Sequence, residues 1–425
     1  MTTPFFARRT AIPQWRSSAR CVVAAVLSAL LVAAPAPARA QRKSQSTAEP
    51  AAWRPFAALF DSAAHSDSIV GAAVLLVRDG RVAAHHEYGW ADRARGQRVT
   101  QNTIFHYGSI TKQLTAISIM QLRDRGKLTL DDRVTSYIPE LRQVHDPYGS
   151  MDSITIRMLM SHSAGFQNPT WPYKQGLPWE PFEPTTWSQL VAMMPYQELY
   201  FKPGSKYSYS NPGFIYLGRI ITELTDDPWE TYVQKNILSP LGLTRSYFNT
   251  TPYYLADDRS ANYTVMRDSA TGRVHVQDNG REFDPGITIP NGGWNAPLSD
   301  LATYLAFLTD ASRGDTALER RYGIVLSRAS LAEMWHPLYL TTPDSSAHPE
   351  WMGMSFFILP RGKSTLIGHT GSQAGFLAFM YINPATKAAI VAAFNTNDDA
   401  SPDGKPTAFE AIRQAALTLI EQRVR

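Results

Sequence analysis

The stretch FHYGSITKQLTAISIMQLRDRGKL, residues 105–128, sets a serine, Ser109, three residues before a lysine, Lys112. On a helix, residues three apart share a face, so the hydroxyl and the amine can approach hydrogen-bonding distance. Serine is a poor nucleophile until a base takes its proton. Lysine serves as that base only where burial or neighbouring charge lowers its pKa. A helix start adds oriented backbone N–H groups where an oxyanion would develop. The plainer alternative is a capping serine followed by a solvated lysine. No other lysine of the chain has a serine three residues before it.

Two further motifs could complete such a site. In KPGSKYSYSNPGFIYLG, Tyr209-Ser210-Asn211 lies between a Pro-Gly turn and an expected helix. A phenol near a lysine can relay a proton to a leaving group; an asparagine amide can bind a substrate carbonyl and orient the lysine. Tyr247 with Asn249 and Tyr381 with Asn383 show the same spacing but lack that turn and helix. In GHTGSQAG, His369-Thr370-Gly371 closes an expected strand. Gly371 would let a substrate backbone lie against the strand, and the Ser372 N–H could form an oxyanion hole with the Ser109 N–H. The alternative is a strand histidine facing solvent.

The elements that must position these residues follow from pattern. GAAVLLVRDGRVAAHHEYG (71–89) predicts a hairpin turning at Asp79-Gly80. Ile110, Leu114, Ile117 and Met120 predict a helix from about Ser109 to Arg125, with Gly126 placed to end it. Helices are expected in ITIRMLMSHSAGF (154–166) and GFIYLGRIITEL (213–224), and in PLSDLATYLAFL with Ser299 as its cap. Residues 250–285 show weak periodicity and are expected to be irregular. STLIGHTGS, GFLAFMYI and AAIVAAFN predict a strand meander, and a last helix is expected over about Thr407–Gln422. Strands at both chain ends with helices between them predict an α/β (α+β) sandwich. One antiparallel sheet would be built from the N- and C-terminal strands, flanked by helices, with a mainly helical lobe inserted.

Composition narrows the classes. The chain has 425 residues, 41 Lys+Arg and 37 Asp+Glu. Five arginines and no acids fall within residues 1–40, so 36 basic residues stand against 37 acidic ones beyond them. No basic field for nucleic acid or a membrane surface is implied. Residues 1–40 combine a basic start, an apolar run at 21–34 and Ala38-x-Ala40, the pattern of a signal peptide cut before Gln41. An uncleaved anchor is the alternative. A linker over 41–52 and one domain over 53–425 follow, with an exported, periplasmic or extracellular protein expected and no stable membrane insertion after cleavage. Cys21 is the only cysteine, so beyond residue 40 there is no disulfide, thiolate nucleophile or cysteine-held metal. His85 and His86 alternate faces of a strand, which argues against a metal site.

Together the three motifs, in order, resemble the serine penicillin-recognising superfamily of class C β-lactamases, D-alanyl-D-alanine carboxypeptidases, D-aminopeptidases and related esterases. LTLDDRVTSYIPEL, ITIRMLMSHSAGF and GGWNAPLSDLATYL also look like that family, and the resemblance covers roughly residues 55–420. It implies the β-lactamase/transpeptidase-like fold and hydrolysis through an acyl-enzyme of an amide, peptide or ester carbonyl. It implies a small-molecule or peptide substrate and no metal or organic cofactor. Ser109 would be the nucleophile, Lys112 its base and Tyr209 the proton shuttle. Asn211, His369, Thr370, Gly371 and Ser372 would bind substrate. His162 would fix its loop, and Trp294 would line the cleft. The tryptophans and prolines of 171–187 could wall an apolar cleft or stiffen a surface loop. His369 stands where class C β-lactamases usually have lysine, which puts efficient β-lactam hydrolysis in doubt. A true β-lactamase, and a non-catalytic penicillin or peptide sensor, remain the alternatives. A histidine is a cation only near or below about pH 6.5, so His369 is expected to hold a substrate carboxylate better in mild acid.

Overall fold

The structure is a computed structural model that describes residues 50–166, 184–268, 270–271, 273–343, 345–346, 348–397 and 406–421. The expected signal peptide, most of the linker, and Trp171 and Trp179 lie outside the described residues.

The hairpin forms as Gly71–Arg78 and Arg81–Asp92, with Asp79 and Gly80 both at positive φ (46° and 69°). That pair of left-handed residues matches the twist of the strands it joins. Strand Gly71–Arg78 pairs with Arg81–Asp92 on one side and with Ala388–Phe394 on the other. The two ends of the chain therefore meet at the centre of one nine-stranded sheet. Its order is Gln97–Arg98, Arg81–Asp92, Gly71–Arg78, Ala388–Phe394, Phe376–Asn383, Ser364–Gln373, Phe357–Arg361, Trp351–Met352 and Tyr339–Leu340. Neighbours run antiparallel throughout.

The central strands are apolar on both faces, and alternation divides them between two cores. Ala72, Val74, Leu76, Phe379, Ile390 and Phe394 join the helices Trp53–Ser66 and Ala408–Glu421 on one face. Ala73, Leu75, Val77, Ala378, Met380, Val391 and Ala393 join the helices Lys112–Asp124 and Leu298–Leu308 on the other. The second core continues into the mainly helical segment between the two sets of strands, through Phe214, Ile220 and Trp229. Among the described residues no helix is long and apolar enough to cross a membrane.

Several local expectations are corrected. The nucleophile segment is a 3-10 turn over Gly108–Thr111, and the α-helix begins only at Lys112 and ends at Asp124. Ser299 caps nothing: the helix starts at Leu298 behind Pro297, with no side-chain cap. Residues 250–285 are not all irregular. Tyr263–Arg267 and Val274–Asp278 form a hairpin whose first strand pairs with Thr396–Asn397. The second strand is almost wholly exposed, so it carries no hydrophobic alternation to detect. The helix Trp53–Ser66 was not anticipated, although Trp53, Phe56, Phe60 and Ala64 have helical spacing and are buried.

Phe394 lies fully buried against Phe60, Phe379 and Phe409, with ring centroids 5.7, 6.4 and 5.7 Å away. Phe394→Ala is expected to cost about 3–5 kcal/mol of unfolding free energy, read from urea denaturation. A loss below about 1 kcal/mol would show that this face is not a close-packed core.

Candidate active site

Lys112 is fully buried at the first turn of its helix. Its Nζ lies 2.8 Å from Ser109 Oγ and donates to the Asn291 carbonyl at 2.9 Å. The Tyr209 and Phe214 rings stand 4.9 and 5.7 Å from Nζ. Among the described residues it has no salt bridge, and burial holds its pKa well below the ordinary lysine value. Ring faces favour a cation by about 0.5–2 kcal/mol, whereas desolvating an unpaired ammonium costs several. Desolvation outweighs the ring faces, which shifts the balance toward the uncharged amine.

Two segments pack over this pair. The loop around 290–294 is stitched to the helix by three bonds. Thr115 Oγ1 donates to the Pro290 carbonyl at 2.5 Å, Lys112 donates to Asn291, and the Trp294 N–H donates to Thr111 Oγ1 at 2.9 Å. Asn291 Nδ2 also donates to Asn211 Oδ1 at 3.4 Å, which brings the predicted asparagine to the lysine through an intermediary. The second segment carries Tyr209. His162, a non-glycine residue at φ 55°, takes the Ser208 N–H on its carbonyl at 2.8 Å and the Ser210 N–H on its Nδ1 at 3.0 Å. Its ring stacks on Tyr209 at 4.3 Å. The expected loop-fixing role of His162 thus has a physical form: it clamps both neighbours of Tyr209. Burial pushes the Tyr209 phenol far above its usual range, partly offset by the Ser109 hydroxyl, so it stays protonated.

The third motif lies across a seam of close backbone approach. A Cβ added to Gly371 would meet the Tyr107 carbonyl oxygen at 2.0 Å and Ser109 N at 3.2 Å. A Cβ on Gly108, at φ 47°, would meet Ser372 N at 2.8 Å. Glycine on both sides lets the Gly108–Ser109 and Gly371–Ser372 backbones approach each other closely. Gly371 is therefore required by the nucleophile turn itself, not only by a substrate backbone. Thr370 is half-buried and Ser372 exposed beside it.

His369 departs from expectation. It is 1% exposed, its Nδ1–H donates to the Thr370 carbonyl at 2.5 Å, and its ring stands 5.0 Å from Phe357 and 6.2 Å from Tyr209. Burial pushes its pKa down to about 3. It is a neutral imidazole throughout the range in which an exposed histidine titrates, so it is not a cation in mild acid. Trp294 is also corrected. It is fully buried between Tyr107 and Tyr304, at 5.8 and 5.3 Å, and lines no cleft. Trp187, half-buried, packs on Tyr216 at 6.4 Å, with Arg219 over its ring. His86 pairs with Asp61 and His85 with Glu87, at 2.7 and 2.9 Å.

Sequence reasoning missed Asn291, His106 and Gln373. Asn291 acts through its backbone carbonyl, which leaves no signature in residue type. His106, three residues before Ser109, was the one with a local cue.

The arrangement sets a serine hydroxyl against a buried lysine amine of lowered pKa, with a phenol kept protonated near them and the Ser109 and Ser372 backbones in close approach. The family model of the Beta-lactamase family matches residues 56–416. Protein flp of Staphylococcus aureus (strain COL) is 23% identical over 339 residues, 79% of this chain and 61% of that protein. The chain thus spans about three fifths of the length of that relative. A beta-lactamase of Lysobacter lactamgenus is 27% identical over 345 residues, 77% of this chain and 82% of that one. The octameric penicillin-binding protein homologue from Pyrococcus abyssi superposes with a TM-score of 0.68 at 26% identity, covering 86% of this chain and 77% of that one. The chain belongs to the Beta-lactamase family and has its fold.

Proposed function

We propose that the protein is an exported serine hydrolase that cleaves an amide, peptide or ester carbonyl through an acyl-enzyme on Ser109. The observation that carries this is the 2.8 Å contact between Ser109 Oγ and the Nζ of a wholly buried Lys112, whose pKa burial lowers. Lys112 Nζ takes the Oγ proton as Oγ bonds to the substrate carbonyl carbon. The oxyanion forms toward the Ser109 and Ser372 N–H groups. The proton passes by way of the Tyr209 phenol to the leaving group, whose bond to carbon breaks. Water then attacks the ester carbonyl, gives its proton to Lys112, and releases the acid with Oγ–H restored. Asn211 binds a substrate carbonyl, and Thr370, Gly371 and Ser372 form the strand edge along which substrate lies, with the buried His369 behind it. Holding Tyr209 protonated supports its part as a donor to the leaving group.

Ser109→Ala is expected to abolish labelling by a fluorophosphonate probe and hydrolysis of every substrate in a panel of nitrocefin, a D-Ala-D-Ala peptide, a D-amino-acid anilide and a p-nitrophenyl ester. Lys112→Ala should lower kcat by about 10²- to 10⁴-fold while leaving Ser109 in place. Intact-mass analysis that finds the probe on another residue defeats the assignment. Labelling without turnover of any of the four would favour a sensor, and fast nitrocefin turnover alone a β-lactamase.

The pH dependence has a defined sign. Lys112 must be deprotonated in the free enzyme, so kcat/KM rises with pH through its lowered pKa. His369, at about 3, stays neutral above that and adds nothing between pH 6 and 8. The ratio of kcat/KM for a carboxylate-bearing substrate to that for a matched neutral ester should stay constant within about twofold over this window. A fall of about tenfold would mean that His369 titrates there.

Export is supported by the basic start, the apolar run and Ala38-x-Ala40. N-terminal sequencing of protein recovered from the periplasm or medium should begin at Gln41. A membrane-retained chain starting at Met1 would favour an anchor.

A further inference from the structure

His106 takes no part in the reaction just described, yet it stands at the junction of the segments that carry it. It ends the strand Ile104–His106, lies opposite Asn295 in register, and is 1% exposed. Its Nδ1 is 2.9 Å from Asn295 Oδ1, and its Nε2 is 3.1 Å from Gln373 Oε1. Asn295 Nδ2 donates to the Gly293 carbonyl at 3.1 Å, and the Gln373 amide reaches the Thr288 hydroxyl at 3.1 Å. One imidazole thereby ties together three pieces: the strand that leads into the Ser109 turn, the end of Ser364–Gln373, and the loop whose Asn291 carbonyl holds Lys112 Nζ. There is little slack. The ring stands 4.8 Å from Phe283 and 5.9 Å from Phe376. A Cβ on Gly292 would meet Gln373 Oε1 at 2.2 Å.

Resting on the hydrolase reading above, we infer that His106 is a positioning residue that sets the Ser372 N–H and Lys112 Nζ relative to Ser109 Oγ by holding Gln373 and Asn295. Gln373 follows Ser372 directly, so tethering its amide fixes the peptide that bears the oxyanion donor. Asn295 continues the loop that aims the base. Displacements of about 1 Å in such groups can cost on the order of 10²-fold in rate, because the interactions count mainly in the transition state. The link does not depend on ring charge. Asn295 commits its nitrogen to Gly293, so Nδ1–H donates to its oxygen. In the neutral ring Nε2 has no proton, so it accepts from the Gln373 amide after a half-turn of that group, and the Thr288 hydroxyl then donates to Gln373 instead of to the Pro285 carbonyl. Burial and the Arg259 guanidinium keep the ring neutral above about pH 4, against the pull of the two amides and the Gly292 carbonyl.

The test compares wild type, His106→Leu, Gln373→Leu and the double variant by two readouts. The first is the second-order rate of Ser109 labelling by a fluorophosphonate, with kcat and KM on the best ester or amide of the panel. Each single substitution should slow labelling and lower kcat by about 10- to 100-fold, with KM within about threefold. The double variant should fall within about threefold of the slower single, because both break one connection. The second readout is amide hydrogen exchange, which needs no activity. The amides of Gly292, Gly293 and Gln373 should exchange at least about tenfold faster in both singles, while the helix Lys112–Asp124 keeps its protection. Losses that multiply in the double variant, or unaltered exchange at those amides, overturn the inference. Should His106→Leu fail to fold, Gln373→Leu at its half-buried position carries both readouts. A wild type that is not labelled at Ser109 refutes the hydrolase reading instead, and exchange alone then decides the role of His106.

Discussion

The burial of Lys112 with no counter-ion among the described residues is the constraint on which the rest of the site depends. An ammonium held there would lose its hydration and receive only two aromatic faces, a hydroxyl and a carbonyl in return. Burial therefore favours the uncharged amine and lowers its pKa. A carboxylate at the same distance would have restored the charge and removed the lone pair. The surroundings are accordingly polar without being ionic. The Asn291 carbonyl, the Tyr209 hydroxyl and the imidazoles of His162 and His369 supply dipoles, and burial lowers the pKa of both histidines.

Keeping that pocket dry requires a cover, and the cover comes from distant parts of the chain. The loop around 290–294 is bonded to Thr111 at the end of the 3-10 turn and to Lys112 and Thr115 in the first turn of the helix, which share a face. The Tyr209 segment is bonded through His162, whose left-handed backbone aims its ring at Tyr209 and its carbonyl at Ser208. Strand Ser364–Gln373 closes the remaining side, and the paired glycines at 108 and 371 let it approach the serine turn more closely than any side chain would allow. Such contacts are affordable because the sheet behind them is buried on both faces and does not yield.

Membership of the Beta-lactamase family accounts for this scaffold, but scaffold and chemistry are separable: function resides in the particular groups that a fold holds. In this chain the strand position that could bear a cation bears a neutral imidazole, locked by its own neighbour's carbonyl.

The local chemistry was legible in the sequence wherever it depended on residues near one another in the chain. Ser109 with Lys112, the turn before Tyr209, the Asp79-Gly80 hairpin and the closing strands are set by spacing, turn residues and alternation. The joining of the first and last strands in one sheet followed from where the apolar runs fall. What spacing could not decide was environment. Nothing in the residue types says that His369 is buried and neutral, that Trp294 lies in the core, or that a backbone carbonyl at Asn291 holds the base. The strand Val274–Asp278 is invisible because it is almost wholly exposed and held by pairing to Tyr263–Arg267. Those features arise when segments more than a hundred residues apart are brought within 3 Å, as in Lys112 and Asn291 or His106 and Asn295. Burial, and with it protonation, belongs to that assembled neighbourhood and not to the residue alone.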